Sequence, residues 1–254
     1  ASLGTGYEFA SLYSCHVRVP HILGFSTNAL LTSYSTGNVY NQYHFGWLDN
    51  GKINCHLAPG DLTGWVNENE IHIGRASHDS GEGTNVSGVR HIKLEQTGTY
   101  SLDNNVFLKP SIEGDAPEYH VEFNGAVRNL ILQGRWEASP PKVLFHNSTN
   151  NVIMHGYRPP SYPIVRTQTG ASSFNELWDT GRRRLFASGE SGGTILENSS
   201  DSAYASLTIM DAGADIAGSD TSTAYAAQVT AQKANFKQSS DAHPRVQIDY
   251  ANGR

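Results

Sequence analysis

Nine residues, NLILQGRWE (129–137), constrain this chain more than any other stretch, because they have a counterpart on each side. NVFLKPSIE begins 24 residues earlier at Asn105, and NVIMHGYRP begins 22 residues later at Asn151. Each opens on Asn, continues with three apolar residues and carries Gly or Pro at the sixth position. An ungapped 22-residue register sets Val121, Phe123, Asn129, Ile131 and Gly134 against Val143, Phe145, Asn151, Ile153 and Gly156. Leu130 and Leu132 meet Val152 and Met154 in the same frame, and Glu113 meets Glu137 when residues 105–113 are set against 129–137. A period of 20–25 residues is the mark of a solenoid. Each unit holds two apolar bursts, VEF then NLILQ and KVLF then NVIMH, each closed by Gly, Asn or Pro. Such bursts are too short for helices and fit strands. Stacked coils place like over like about 4.8 Å apart. Asn suits the corner, since its side chain bonds to nearby backbone and it tolerates the left-handed conformation. Each repeat therefore reads as one turn of a parallel β-helix, about 22–24 residues per coil.

Upstream the frame is looser. NEIHIGR (69–75) keeps the Asn, the alternating Ile71 and Ile73, and Gly74; VRHIKLE (89–95) alternates less cleanly. HDSGEGTNVSG (78–88) reads as an insertion between turns, a place where solenoids often carry binding surface. The prolines of PPSYP (159–163) interrupt a strand ladder. The expected organisation is a β-helix over 1–160, an irregular end or connector over 161–200, and a C-terminal β domain or trimerisation element over 201–254. In that last region SLTIM and RVQIDY read as strands, and AYAAQVTAQKANF as a strand or short helix.

Composition supports an all-β class. Hydrophobic residues are 38% and charged residues 17%, leaving a chain rich in Gly, Asn, Ser and Thr that disfavours long helices. The net charge of −6 and the lack of a basic block longer than RRR (182–184) argue against nucleic acid as a partner. Cys15 and Cys55 either pair or stay free, and they form no CxxC metal pattern. No run of 18 apolar residues is present, so no membrane insertion is expected. The chain opens on Ala without a visible signal peptide, as expected of a fragment or processed product.

GWVNENEIHIGRAS (64–77), NNVFLKPSIEGD (104–115), HVEFNGAVRNLILQGRWE (120–137) and NNVIMHGY (150–157) together resemble the pectate-lyase-like, right-handed parallel β-helix of bacteriophage tailspikes and tail-associated appendage proteins. The likeness covers about residues 5–160. It implies a homotrimer on the virion, extracellular, joined to other phage tail proteins, that attaches to host cell-surface polysaccharide and often cleaves it. Microbial polysaccharide lyases and glycoside hydrolases share the fold, so a polysaccharide-degrading enzyme and a purely structural trimeric shaft are the other readings. No catalytic motif of the family matches residue by residue.

Candidate chemistry comes from the residues themselves. Glu113 and Glu137 hold the same offset in adjacent coils, which would bring two carboxylates roughly 5 Å apart, the separation used by retaining glycosidases; Asp115 could act from the following loop. Trp136, Arg135, Glu137 and Tyr157 could form a glycan-binding cluster of aromatic faces and polar groups, with Trp136 at a trimer interface as the alternative. Trp47 and Trp65 each follow Gly and precede polar turns. Each is an exposed sugar platform or, by preference, an aromatic buried beneath a turn. Eleven His residues show no HxH, HxxxH or HExxH spacing, and Asp79, Glu82 and Asp103 lack the DxDxDG pattern of a calcium loop. No metal and no cofactor is expected. No GxSxG elbow points to an esterase. Finally, alternate residues of an apolar strand must face outward. Either Phe107, Ile131 and Ile153 or the opposite face should form an apolar stripe three coils tall, covered by a partner subunit.

Overall fold

The structure is a computed structural model describing residues 4–78, 86–97, 101–115, 117–138, 140–157 and 164–179, together with the backbone of strands 184–189, 192–198, 205–210, 234–238 and 244–248. It is all-β, a right-handed parallel β-helix of about six turns. Each turn contributes a strand to each of two long parallel sheets. The first sheet stacks Thr5–Ala10, Thr27–Thr32, Ile53–Leu57, Val86–Glu95, Pro117–Asn124, Lys142–His146 and Val165–Thr169. The second stacks His16–Leu23, Gln42–Asp49, Glu70–Ser77, the pair Val106–Leu108 and Ser111–Glu113, then Leu130–Glu137, Val152–Tyr157 and Glu176–Asp179. A narrow third sheet pairs Gly37–Val39 with Trp65–Asn67 and continues as single bridges through Asp103, Val127, Thr149 and Ser173.

The repeat predicts the register. Val121 pairs with Val143 and Phe123 with Phe145, while Leu130, Ile131 and Leu132 pair with Val152, Ile153 and Met154. The frame slips once: Gly134 stands opposite His155 rather than Gly156, and register returns at Arg135/Tyr157. Gln133, in the left-handed region at φ 53°, makes this bulge.

The repeated asparagine organises the corner differently from expectation. Asn41, Asn69, Asn105, Asn129, Asn151 and Asn175 are all buried and form one column. Each of the first five donates from Nδ2 to the Oδ1 of the next at 2.9–3.1 Å. Each also donates to a carbonyl of the preceding turn, as from Asn105 to Val66 and from Asn129 to Leu102. Each Oδ1 accepts a backbone N–H from the corner of the preceding coil, beginning with that of Cys15. The left-handed conformation belongs instead to the residue just before: Ser14, Tyr40, Glu68, Asn104, Arg128, Asn150 and Phe174 all have φ between 51° and 59°. The buried amide network stabilises the corner that makes these unfavourable torsions necessary.

The Gly or Pro five residues after each Asn has its own role. In Gln42–Asp49, Tyr43 and Phe45 face the interior, but after Gly46 the next buried residue is Leu48. The strand of Ile71, Ile73, Gly74 and Ala76 behaves alike. The sheet creases along this line, and backbones approach so closely that a side chain on Gly46 would collide with the Pro20 carbonyl, and one on Gly74 with the Gly46 carbonyl at 2.6 Å.

The interior is a stack of apolar side chains, including Phe45, Ile73, Phe107, Phe123, Phe145 and Trp136. Burying each stabilises the fold by roughly 1.5–3 kcal/mol. Phe107, Ile131 and Ile153 belong to this core at 0% exposure. The outward stripe is therefore the opposite face: Val106, Leu108, Leu130, Leu132, Val152 and Met154. Cys15 and Cys55 are both free thiols. The helix extends past the expected boundary at 160, since Val165–Thr169 and Glu176–Asp179 each add a parallel strand. Beyond it three antiparallel strands (184–189, 192–198, 205–210) continue the second sheet. Strands 205–210 and 244–248 coincide with SLTIM and RVQIDY, and 234–238 takes the end of the third segment. Most of the 78–88 loop, with Asp79 and Glu82, lies outside the described residues, as do Arg182 and Arg183.

Candidate functional site

The crease fixes what the second sheet shows to solvent. The residue that follows each Gly or Pro lies on the outer side of the sheet, which gives one column: His21, Trp47, Arg75, Ser111 (itself covered), Arg135 and Tyr157. Two residues further on, Leu23, Asp49, Ser77, Glu113 and Glu137 form the neighbouring column. The side chains interlock along the solenoid axis. His21 meets the Trp47 ring edge-on at 5.5 Å between centroids. The Arg75 guanidinium lies 5.3 Å over that ring, and its Nε pairs with Glu113 at 2.8 Å. Ser111 donates to Glu113 at 3.1 Å. The Arg135 guanidinium sits between the two acids, 4.0 Å from Glu113 and paired with Glu137. Tyr157, about half exposed, closes the column. At about 4.8 Å per rung these groups cover roughly 24 Å of one face.

Glu113 and Glu137 are thus direct partners on adjacent rungs, as their offset predicts. Both acids are engaged by guanidinium donors, so the unit is a charge-alternating ladder rather than an isolated carboxylate pair. Asp115 sits just past the strand, on the side of His120 and Lys142, whose protonated forms its charge favours.

Trp136 does not join its neighbours. It is fully buried, packed edge-on against His155 at 5.8 Å, with its Cα partner Ile112 inside the coil. Successive residues of a strand point to opposite faces, so Arg135 and Glu137 share the outside and Trp136, between them, is core. This removes it both from a sugar-binding face and from a trimer interface. Trp65 is half-buried over Gly37 in the third sheet, away from the column. Trp47, expected by preference beneath a turn, is 49% exposed and stands on the second rung of the column, between His21 and Arg75.

Arg75 and His21 are the site residues that sequence reasoning passes over, and Trp47 is the one it places by preference beneath a turn. The signal is present: NQYHFGW (41–47) repeats NEIHIGR (69–75), and in each the residue after Gly is the outward one.

Beside the column lies an open cleft of about 410 Å³, lined by Arg18, Pro20, His44, Gly46, His72 and Gly74 among others. The His44 and His72 rings stack at 4.4 Å and 9°, and His72 Nε2 meets the Glu70 carboxylate at 2.7 Å. Asp103 is buried against Arg128. Among the described residues no three metal-ligating side chains converge, and no helix is long and apolar enough to cross a membrane. No family model matches this sequence, and comparison with curated proteins and with solved structures found no match.

Proposed function

We propose that the chain is a component of a phage tailspike or tail fibre that attaches to host surface polysaccharide along the outward face of its second sheet. The observation that carries this reading is the aligned ladder Trp47, Arg75, Glu113, Arg135 and Glu137. An exposed indole offers the flat apolar surface on which a sugar ring packs, and the flanking guanidinium and carboxylate groups supply hydroxyl partners at a regular rise. The rigid strands beneath hold these groups in place before a ligand arrives, which limits the entropy lost on binding. Association into a homotrimer is supported by the outward apolar stripe lower on the same sheet, with Met154 at 37% exposure.

A second reading, a polysaccharide-cleaving hydrolase, is favoured by one observation, the direct stacking of Glu113 on Glu137. One experiment separates the two. Purified surface polysaccharides of candidate hosts are tested for binding, for new reducing ends and for the ultraviolet absorbance of unsaturated uronates, with Trp47→Ala and the Glu113→Gln/Glu137→Gln double variant alongside. Attachment predicts binding without products, weakened roughly tenfold by Trp47→Ala. Reducing ends lost in the double variant would establish hydrolysis at the pair. An ultraviolet signal would establish a lyase and set the pair aside. No binding to any polysaccharide would overturn the attachment reading.

A further inference from the structure

Resting on the carbohydrate reading, we propose that the cleft at Arg18, His44 and His72 is a subsite for the anionic group of an acidic sugar, a carboxylate or a phosphate substituent. Three adjacent strands bring these side chains into register: Arg18 is the Cα partner of His44, and His44 of His72. The next two positions of the same column are Leu108 and Leu132, so the basic character is confined to the cleft. Gly46 and Gly74, which carry no side chain, leave room in the cleft beside Pro20. Arg18 is exposed and has no ion pair with any carboxylate among the described residues, unlike Arg75, Arg90, Arg128 and Arg135. A guanidinium without a carboxylate partner, beside two stacked imidazoles in an open cleft, is suited to a small anion.

The surrounding charges decide how the cleft responds to pH. His16, Arg18 and His21 come from the first strand, His44 and Asp49 from the second, Glu70, His72 and Arg75 from the third. Partial burial, then the neighbouring His72 and Arg18, lower the His44 pKa below its usual value, while Glu70 acts in the opposite sense. His44 therefore carries little charge at neutral pH. Acidification adds positive charge beside Arg18, and a bound anion draws that proton on more readily. Glu70 pairs through Oε1 with His72 Nε2 at 2.7 Å, which commits that carboxylate to the ring.

The test uses the full chain and three ligands of equal length: a galacturonate trisaccharide, a glycerol phosphate trimer and neutral maltotriose. Binding is measured by calorimetry at pH 7.5 and pH 5.5. The expected result is that at least one anionic ligand binds, roughly fivefold tighter at pH 5.5, and that maltotriose shows no such change. Whichever anion binds names the source of the charge. Arg18→Ala should abolish that binding, and His44→Gln should retain a pH-independent remainder; both side chains are at the surface, and a circular dichroism spectrum checks folding. Binding of neither anion, equal binding of maltotriose, an affinity unchanged between the two pH values, or anion binding that survives Arg18→Ala would each overturn the subsite. Host polysaccharide binding that still depends on Trp47 would then leave the attachment reading standing without it.

Discussion

The second sheet is one structure with two outward faces. Over its first three strands the outward positions before the crease are His16, Arg18, Gln42, His44, Glu70 and His72; over the strands at 106–108, 130–137 and 152–157 the equivalent positions are Val, Leu and Met. Inside, nothing changes. Tyr43, Ile71, Phe107, Ile131, Ile153 and Leu177 occupy one inward column that crosses the boundary at 0% exposure throughout. The interior and the asparagine corner specify the coil, so the outward positions are free to differ. Before the crease one half presents polar side chains and the other apolar ones. Where the coil is fixed, individuality is written in the residues it does not need.

The comparison can be broken first at the interior. Ile131→Asp, which places an unpaired charge in a dry core, should cost about 4 kcal/mol or more and leave the lower half unable to fold, seen as loss of the cooperative thermal transition. Next, Asn69→Ala in the polar half and Asn129→Ala in the apolar half should be equally harmful, each losing about 3 kcal/mol in urea unfolding. A marked inequality would mean that the halves differ inside as well as out.

The boundary between the halves carries a pH signature. Asn28, Asn54, His91 and His120 form a second buried column, in which Asn28 donates to Asn54 at 2.7 Å, Asn54 meets His91 at 2.9 Å, and the two rings lie 5.6 Å apart. Burial drives the His91 pKa well down and brings that of His120 from 6.5 to about 4. Both rings are neutral when folded and gain protons on unfolding. The unfolded state thus binds more protons between pH 6.5 and about 4, and stability present above 6.5 is lost as pH falls through that window. His120 alone should contribute about 3 kcal/mol of this loss. Urea midpoints at pH 7.5, 5.5 and 4.5 would measure it, and His120→Gln should flatten the slope.

The smallest effect on folding, and the sharpest on the comparison, comes from the outward stripe. Leu132→Asp should change stability by no more than about 1 kcal/mol yet convert an oligomer to monomer in sedimentation, while Trp47→Ala leaves sedimentation unchanged. An oligomer indifferent to Leu132→Asp would sever the apolar face from assembly.

Much of the fold is legible because the repeat is written at the positions the coil depends on. Asn105, Asn129 and Asn151 fix the corner, Gly134 and Gly156 mark the crease, and Asn69 carries the same motif one coil upstream. The stacking of Glu113 on Glu137 follows from the same count. Trp136 resists the count for a physical reason: adjacency in sequence is opposition across a sheet, and only the strict alternation after the crease separates it from Arg135 and Glu137. The exposure of Trp47 is harder to read because its repeat, NQYHFGW, has Gln42 and His44 where the later coils have Leu, Val or Met. Ion pairing between coils, such as Arg75 with Glu113, depends on loop lengths that no periodic frame contains.

Those loop lengths differ widely. Successive ladder asparagines are 28, 36, 24, 22 and 24 residues apart, yet the amide contacts between them stay within 2.9–3.1 Å. Each amide clasps only the coil before and the coil after. A segment running from one ladder asparagine to the next is thus a self-contained module with identical couplings at both ends. Duplicating the 22 residues from Asn129 to Asn150 would add one coil about 4.8 Å tall without disturbing register on either side, lengthening the shaft and extending its apolar face by a single increment.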